Sequence, residues 1–304
     1  MLKILFMGTP MFSVPILDAI NNKYEVVGVV TQPDRIGGRG HDIIQSEVKK
    51  YAVEHGLKVF QPEHIKEAYD ELINLNADLI VTAAYGQFVG TKLLDAPKYK
   101  AINCHGSLLP KYRGGSPIQT AIRNGEKETG ISIMYMIKQM DAGDILAQRS
   151  IPILDSDTSG TMFEKLSYVA RDLLMETIPL LIEGKISPVK QNEDEVSFAY
   201  NISKEEELID FNDTALNIFN KIRAFNPDPI CYMELKGDII KVYSSKVLDE
   251  ESNLEPGSFV LNEKGKLKMV CGDHKVLEIL ELKPAGKKLM TGKDFRNGYL
   301  NKYL

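Results

Sequence analysis

Apolar runs alternate with helical stretches along the first half of this chain, and this alternation limits the possible folds more than any other feature. Residues 3–8 (KILFMG), 25–31 (EVVGVVT) and 78–84 (DLIVTAA) are apolar almost throughout, rather than at every second position. Strands of this kind are buried on both faces, which is typical of a parallel sheet covered by helices. Helical periodicity at residues 10–21 and 63–76 separates them. The pattern predicts an α/β fold with a doubly wound, mostly parallel, Rossmann-like sheet.

The same alternation extends the predicted sheet to residue 137. Further strands are predicted at residues 57–60, 99–105 and 130–137, and further helices at residues 44–55, 116–124 and 161–183. The first turn, MGTPMF, contains only Gly8 where a dinucleotide-binding fingerprint has three glycines. Because those glycines let the backbone approach a pyrophosphate, their absence argues against a dehydrogenase.

The character of the sequence changes after the long helix. Residues 185–205 are polar without clear periodicity, and a helix predicted at 213–224 precedes short strands separated by glycine turns. Such strands are typical of a small β-barrel or sandwich, and we favour an OB-like barrel. The 304-residue length also favours two domains. We expect a catalytic domain at 1–190, a linker at 191–205 and a smaller C-terminal β-barrel domain at 206–304.

The charge of the chain is unevenly distributed. The net charge of −5, from 42 acidic and 37 basic residues, argues against a general nucleic-acid binder. The segment from Lys283 to Leu304 is the exception, with six basic residues and one acidic residue. A basic tail on an acidic chain predicts one confined anionic partner surface, although a solvated helix with lysines would have the same composition.

Cysteine usage and hydropathy bear on the cellular compartment. The sequence contains no run of eighteen apolar residues, and MLKILFMGTP is too short an apolar run for a signal peptide. Cys104, Cys231 and Cys271 are odd in number and widely spaced, which matches neither a disulfide framework nor a metal site. We expect a cytoplasmic protein that is a monomer, binds no metal and has no membrane partner.

The stretch AINCHGSLLPKYRGGSP, residues 101–117, places two polar side chains where a strand ends. Asn103 and His105 are two positions apart, so they share a face, with Cα atoms about 6.5 Å apart. In open α/β sheets, ligands bind beyond the carboxyl ends of the strands. An amide and an imidazole that converge there can stabilise a developing oxyanion. The alternative, that they cap exposed backbone groups, is equally compatible with these two residues alone.

A carboxylate follows the next predicted strand, in the sequence MDAGDI. Asp141 beside His105 would fix the tautomer of the imidazole and favour its protonated form. Asp144 is a rival for this role, although a turn cap is its simpler function. Cys104 faces away from the site and Ser107 lies beyond the strand end, so neither is placed as a nucleophile. We therefore expect direct transfer of a carbonyl group without a covalent enzyme intermediate.

These motifs resemble those of the folate-dependent formyltransferase family. The similarity is carried by INCHGSLLPKYRGGSPIQTAI at residues 102–122 and by MDAGDI, and it extends to GTPMFSV, TQPDRIGGRG, TSG, IRAFNP and KPAGKK. It covers the whole chain and narrows to the branch whose members formylate methionine on initiator tRNA. It is weakest in the β-rich second domain.

The resemblance implies both the reaction and the residues that perform it. The implied co-substrate is 10-formyltetrahydrofolate, and the implied acceptor is the α-amine of initiator methionyl-tRNA. The neutral amine would attack the formyl carbon while Asn103 and protonated His105 stabilise its oxygen, and Asp141 would take the amine's proton. The residues implied to line the folate site are Ser107, Leu108, Leu109 and Pro110.

The loop TQPDRIGGRGHD combines three glycines with Arg35 and Arg39. Arginines contact phosphates without reading sequence, although a solvated surface loop is the simpler interpretation of this composition. The resemblance implies that the loop enters the acceptor arm of the tRNA, with Arg39 as the main anchor. Two alternatives remain: a formyltransferase for a small amine, and a non-catalytic RNA-binding protein on the same fold. The loop and the basic tail disfavour the first, and the intact Asn-His-Asp set disfavours the second.

Overall fold

The structure is a computed structural model that describes residues 1–37 and 42–304. The described residues form two compact units. The first unit comprises residues 1–114, 129–151 and 163–199, and the second comprises residues 115–128, 152–162 and 200–304. Two short segments of the predicted catalytic domain therefore cluster with the C-terminal residues.

The first half of the chain contains a large sheet and a separate two-stranded sheet. The strands are β1 (Lys3–Gly8), β2 (Glu25–Val30), β3 (Arg35–Gly37), β4 (Asp42–Ile44), β5 (Val59–Phe60), β6 (Leu79–Ala83), β7 (Ala101–His105), β8 (Glu128–Tyr135) and β9 (Ile145–Pro152). Seven of them form one sheet in the order β5-β2-β1-β6-β7-β8-β9, and β3 pairs with β4.

The first five strands of the large sheet, β5 to β7 in spatial order, are parallel. The prediction of a mostly parallel, Rossmann-like sheet is thus confirmed. β8, however, is antiparallel to β7. An apolar run has the same pattern in either direction, so the sequence did not indicate this reversal. No strand was predicted for β9, whose residues alternate between partly buried and exposed.

The helices are α1 (Val14–Lys23), α2 (Glu47–Glu54), α3 (Tyr69–Ile73), α4 (Thr91–Leu94), α5 (Pro117–Arg123), α6 (Ser159–Ile182), α7 (Ala215–Ala224) and α8 (Gly292–Gly298). α1, α2, α5, α6 and α7 overlap predicted helices, whereas residues 63–76 form only a 3-10 turn at Ile65–Ala68 followed by the short α3. α4 was not predicted, and α8 lies in the basic tail, where a solvated helix was the alternative interpretation. No helix of the described residues has the length and apolar character needed to cross a membrane.

The core of the first unit lies on both faces of its central strands. Side chains from Ile4 to Met7 on β1 and from Leu79 to Val81 on β6 are at most 1% exposed. Burying one such aliphatic side chain stabilises the fold by about 1.5 to 3 kcal/mol relative to exposure. The central strands are therefore a rigid base, and the polar residues at their carboxyl ends are held by them.

The second unit contains an antiparallel sheet. Its strands are β10 (Tyr232–Leu235), β11 (Asp238–Glu251), β12 (Phe259–Val260), β13 (Leu267–Val270), β14 (Lys275–Pro284) and β15 (Met290–Thr291). The spatial order is β10-β11-β14-β13-β12, with β15 on β14. Register shifts interrupt the long β11–β14 pairing, and such bulges increase the local twist. The sheet forms a half-barrel, as the short strands and glycine turns indicated.

Candidate active site

Asn103 lies near the carboxyl end of β7, beside Thr82 of the parallel neighbour β6. The Thr82 hydroxyl donates a hydrogen bond of 2.7 Å to Asn103 Oδ1. With its oxygen held in this way, the side chain directs Nδ2 elsewhere, and no partner for Nδ2 is found in residues 1–37 and 42–304. Asn103 is partly exposed. It therefore offers an oriented N–H donor at the strand end.

His105 ends the same strand and is 5% exposed. Its Nε2 lies 2.9 Å from the main-chain oxygen of Tyr112. A carbonyl oxygen can only accept, so Nε2 carries a proton and the neutral form of the ring has an unprotonated Nδ1. This nitrogen lies 3.7 Å from Asp141 Oδ2, which is longer than a hydrogen bond. Nδ1 is therefore the ring nitrogen that remains for a substrate.

Asp141 lies in the loop between β8 and β9, and its φ of +50° is in the left-handed region. Its side chain is 14% exposed. The main-chain N–H of Gly114 donates a 2.9 Å hydrogen bond to Oδ2, the oxygen that faces His105. The structure thus places the Asp141 carboxylate beside His105 Nδ1, and Asn103 lies two residues before His105 on β7. The sequence did not indicate Thr82, Tyr112 or Gly114, which orient these side chains. Tyr112 and Gly114 act through main-chain atoms, and Thr82 belongs to the neighbouring strand β6.

The rival carboxylate, Asp144, is exposed and has a different neighbour. Its main-chain oxygen accepts a 3.0 Å hydrogen bond from the N–H of Tyr135. Burial, with the Asp144 charge as a smaller contribution, raises the pKa of the Tyr135 phenol. Asp144 thus acts on Tyr135, whereas Asp141 faces His105.

The segment after β7 is held by side chains of β8 and β9. The Ser132 hydroxyl donates to Ser107 O at 2.7 Å and accepts from the N–H of Leu109 at 3.0 Å. Gln148 Nε2 donates to Leu109 O at 2.9 Å. Ser107 and Leu109 are themselves buried, and Leu109 packs in a small core cluster with Met134 and Ile145. Leu108 and Pro110 are half-buried, so these two retain surface for a ligand.

Neither candidate nucleophile beside the site is activated. Burial raises the pKa of the Cys104 thiol to about 12, so the thiolate is a negligible fraction at neutral pH. The Ser107 hydroxyl is fully buried and donates to the main-chain oxygen of Lys111 at 2.7 Å. The chemistry available here is hydrogen bonding to an oxyanion and proton transfer, without covalent attack by these two groups. Among the described residues, no cluster of three or more His, Cys, Asp or Glu side chains could hold a metal ion.

Known sequences identify the family to which this site belongs. Residues 2–178 match the formyl transferase family, and residues 201–300 match the C-terminal domain of formyl transferases. The chain belongs to the formyl transferase family. The resemblance found in the Asn103–His105 and Asp141 motifs is thereby confirmed.

Curated relatives of this formyltransferase are similar over almost their whole length. The methionyl-tRNA formyltransferase of Pediococcus pentosaceus is 52% identical, and the match covers 98% of this chain and 94% of that protein. The methionyl-tRNA formyltransferase of Lactiplantibacillus plantarum is also 52% identical, with 100% and 97% covered. That of Bacillus cereus is 46% identical, with 98% and 96% covered.

Solved structures share the fold of this formyltransferase at lower identity. An N-formyltransferase from Helicobacter canadensis, in complex with folinic acid and dTDP-3-aminofucose, superimposes with a TM-score of 0.71 at 22% identity, covering 92% of this chain and 99% of that one. HypX from Aquifex aeolicus, in complex with tetrahydrofolic acid, has a TM-score of 0.65 at 14% identity, covering 98% and 47%. At these identities the comparison establishes the fold alone.

The basic residues predicted to contact tRNA differ in their surroundings. Arg35 is exposed on β3, next to Ile36, which is 73% exposed. Arg39 lies outside the described residues. In the basic tail, Arg296 donates to the main-chain oxygens of residues 260, 261 and 266, and Lys302 pairs with Asp238. The remaining basic side chains of the tail are exposed, namely Lys283, Lys287, Lys288 and Lys293.

Proposed function

We propose that this formyltransferase transfers the formyl group of 10-formyltetrahydrofolate to the α-amine of methionine on initiator tRNA. The observation that carries the proposal is the arrangement at the end of β7. Asn103 Nδ2 and His105 Nδ1 are oriented by bonds to their other atoms, and Asp141 lies 3.7 Å from His105. The extensive similarity to proteins named methionyl-tRNA formyltransferase supports the choice of acceptor.

The role of each of the three side chains follows from the atom that its hydrogen bonds leave available to the substrate. As the amine attacks, charge develops on the formyl oxygen, and Asn103 Nδ2 donates to that oxygen. Because Nε2 is occupied by Tyr112, His105 donates through Nδ1, which requires the protonated ring. The Asp141 carboxylate balances that charge and accepts the proton of the attacking amine, directly or through one water. When the tetrahedral adduct collapses, the bond between the formyl carbon and the folate nitrogen breaks, and this proton passes to that nitrogen as tetrahydrofolate leaves.

The folate co-substrate supplies the formyl carbon in the form of an activated amide. We propose that the loop of Ser107, Leu108, Leu109 and Pro110 holds it. Support comes from the way in which Ser132 and Gln148 fix this loop next to His105, whose strand partner is Ser132. Leu108 and Pro110 would contact the co-substrate, whereas the buried Ser107 and Leu109 maintain the shape of the loop.

For the tRNA, we propose contacts from two groups of basic residues. Arg35 and Arg39 would bind phosphates of the acceptor arm, and exposed Ile36 offers an apolar surface beside them. The exposed lysines of the tail, Lys283, Lys287, Lys288 and Lys293, would bind the same polyanion through the second unit. We also propose domains at 1–190 and 206–304, with the second closing into an OB-like barrel. We also propose a monomer in the cytoplasm, and the three buried, free cysteines fit this reducing compartment.

A formyl-transfer assay tests the proposal. Purified protein is incubated with 10-formyltetrahydrofolate and, in parallel, with charged initiator tRNA, charged elongator methionyl-tRNA and a small amine such as an amino-sugar nucleotide. We expect formylation of the initiator tRNA at a kcat/KM well above that of the other two acceptors. Faster transfer to the small amine would show that the acceptor is a small amine rather than a tRNA. Binding of tRNA without transfer would indicate a non-catalytic RNA-binding protein.

A further inference from the structure

Arg113 is the largest side chain among the fully buried residues, at 1% exposed, and it lies just after the loop proposed to hold folate. Its Nε and Nη2 donate to Gln191 Oε1 at 3.0 and 2.8 Å. Nη1 and Nη2 also donate to the two carboxylate oxygens of Glu193, at 3.3 and 2.9 Å. A buried guanidinium requires such partners, since an unpaired charge in the interior is strongly unfavourable.

Gln191 transmits this arrangement to the Asp141 loop. Its Nε2 donates to the main-chain oxygens of Asp141 and Gly143, both at 2.8 Å. Guanidinium groups only donate and main-chain carbonyls only accept, so the amide has a single orientation that satisfies all of these bonds. Gln191 is 5% exposed, although the sequence placed it in a polar linker.

The Asp141 loop needs such support, because its backbone conformation is unfavourable. Asp141 has a φ of +50°, which side chains with a Cβ rarely adopt. Gly143 is packed so closely that a Cβ there would lie 1.9 Å from the main-chain oxygen of Tyr135. The Gln191 amide therefore holds both ends of the short segment that presents the Asp141 carboxylate to His105.

We propose that Gln191, itself held by Arg113, is a positioning residue for formyl transfer. It fixes the loop in which Asp141 Oδ2 accepts from Gly114 and faces His105 Nδ1. This inference rests on the proposed function for its kinetic consequence, but its geometric part stands on the contacts of Gln191 alone.

The test is Gln191→Glu, assayed with charged initiator tRNA and 10-formyltetrahydrofolate. A glutamate still accepts from Arg113, but it has no hydrogens for the two carbonyls, so the loop contact is replaced by repulsion between oxygen atoms. Because small misplacements of reacting groups are costly, we expect kcat to fall by about 10- to 100-fold, with both KM values changed less than about threefold. In an Asp141→Asn background the same substitution should lower kcat by less than about twofold, since residues that act as a unit are not additive.

A matched control separates positioning from general stability. Asn220 is 4% exposed and accepts from the buried Arg223 Nε at 2.9 Å, as Gln191 accepts from Arg113. We compare Gln191→Leu with Asn220→Leu, which also provides an uncharged variant if Gln191→Glu folds poorly. Both should lower the unfolding midpoint, and only Gln191→Leu should lower kcat. A wild-type kcat for the Gln191 variants, or losses that multiply with Asp141→Asn, would overturn the proposal.

A spectroscopic measurement keeps this result distinct from that of the formylation assay. His105 is one of five histidines, and His105→Gln assigns its ring signals. In Gln191→Glu the His105 ring nitrogen shifts should move, and in Asn220→Leu they should not. If the wild type formylated no tRNA, the proposed function would fail, but the His105 shifts would still test the role of Gln191. His105 shifts that do not move in Gln191→Glu would show that Gln191 does not position the site.

Discussion

Each unit contains a buried arginine that donates its Nε to a buried amide, yet the two pairs serve different ends. In the first unit Arg113 holds Gln191, and in the second Arg223 holds Asn220. Arg223 also donates directly to the main-chain oxygens of Leu154 and Asp157. The guanidinium of Arg223 therefore joins chain segments itself, whereas the guanidinium of Arg113 is connected to the Asp141 loop through the Gln191 amide.

This contrast shows that burial and hydrogen bonding alone do not mark a residue as functional. Both arginines satisfy the same requirement for partners in the interior. Arg113 differs from Arg223 because its partner, Gln191, also donates a hydrogen bond to the loop that carries Asp141. A buried arginine–amide pair contributes to a site when the amide also donates a hydrogen bond to the segment that carries a site residue.

The largest effect should come from removing a group that touches the substrate. His105→Ala should lower kcat by at least about a hundredfold while the fold is retained, because a general acid–base or charge-stabilising group is lost. Steady-state kinetics and circular dichroism measure the two quantities. Turnover close to that of the wild type would remove His105 from the mechanism and would leave the two arginine pairs without a functional difference.

The next effect compares the arginines themselves. Arg113→Met and Arg223→Met each leave buried acceptors unpaired, so each should lower the free energy of unfolding by about 1 to 3 kcal/mol per group. Only Arg113→Met should also lower kcat, by about tenfold, because Gln191 loses its anchor while keeping its bonds to the loop. Urea unfolding and initial rates check both. An equal loss of kcat in both variants would mean that the distinction between the pairs is wrong.

The arginines of the 31–40 loop should act on the binding of tRNA rather than on turnover. Arg35→Ala and Arg39→Ala should each raise KM for tRNA and reduce the slope of log K against log salt by about one, leaving kcat on a minimal acceptor unchanged. Arg171→Ala is a suitable control, since this partly exposed arginine pairs with Asp172. Salt dependence identical to that of the wild type would reduce the 31–40 loop to a solvated surface loop.

The smallest effect concerns the outer partner of Arg113. The hydrogen bond from Arg113 lowers the pKa of the Glu193 carboxyl. A carboxyl whose folded pKa is lowered stabilises the fold above its unfolded value of 4.5 and loses that contribution as the pH falls through the folded value. Glu193→Gln should therefore reduce the loss of thermal stability at acidic pH. The reduction should be small, because the Glu193 side chain is 61% exposed and water screens its interaction with Arg113. Melting curves between about pH 3 and 6 measure it, and an unchanged acid limb would contradict the assignment.

Local patterns predicted most of the fold. The apolar runs became β1, β2, β6 and β7, because burial on both faces leaves a trace in every residue of a strand. The helix predicted at 213–224 also corresponds closely to α7. α7 begins after Thr214, whose side chain accepts from the N–H of Asn217 within one turn. The antiparallel direction of β8 and the presence of β9 left no such local trace.

The candidate site likewise has a part that local sequence patterns predicted and a part that they did not. Asn103 and His105 were predicted to share a face because a strand has a period of two, and MDAGDI pointed to Asp141. Nothing in the sequence indicated that Tyr112 would bind Nε2 or that Gly114 would bind the carboxylate, since both use main-chain atoms common to every residue. The orientation of the imidazole was therefore not predictable.

Most strands and helices, the family resemblance and the candidate site side chains were predictable from the sequence alone. These depend on periodicity and residue type within a few positions. That Gln191, placed by its polar surroundings in a linker, is buried against Arg113, 78 positions earlier, was visible only in the folded chain. The physical reason is that a hydrogen bond of such long range depends on how the whole chain packs, and the polar residues that make it look the same in sequence as residues exposed to water.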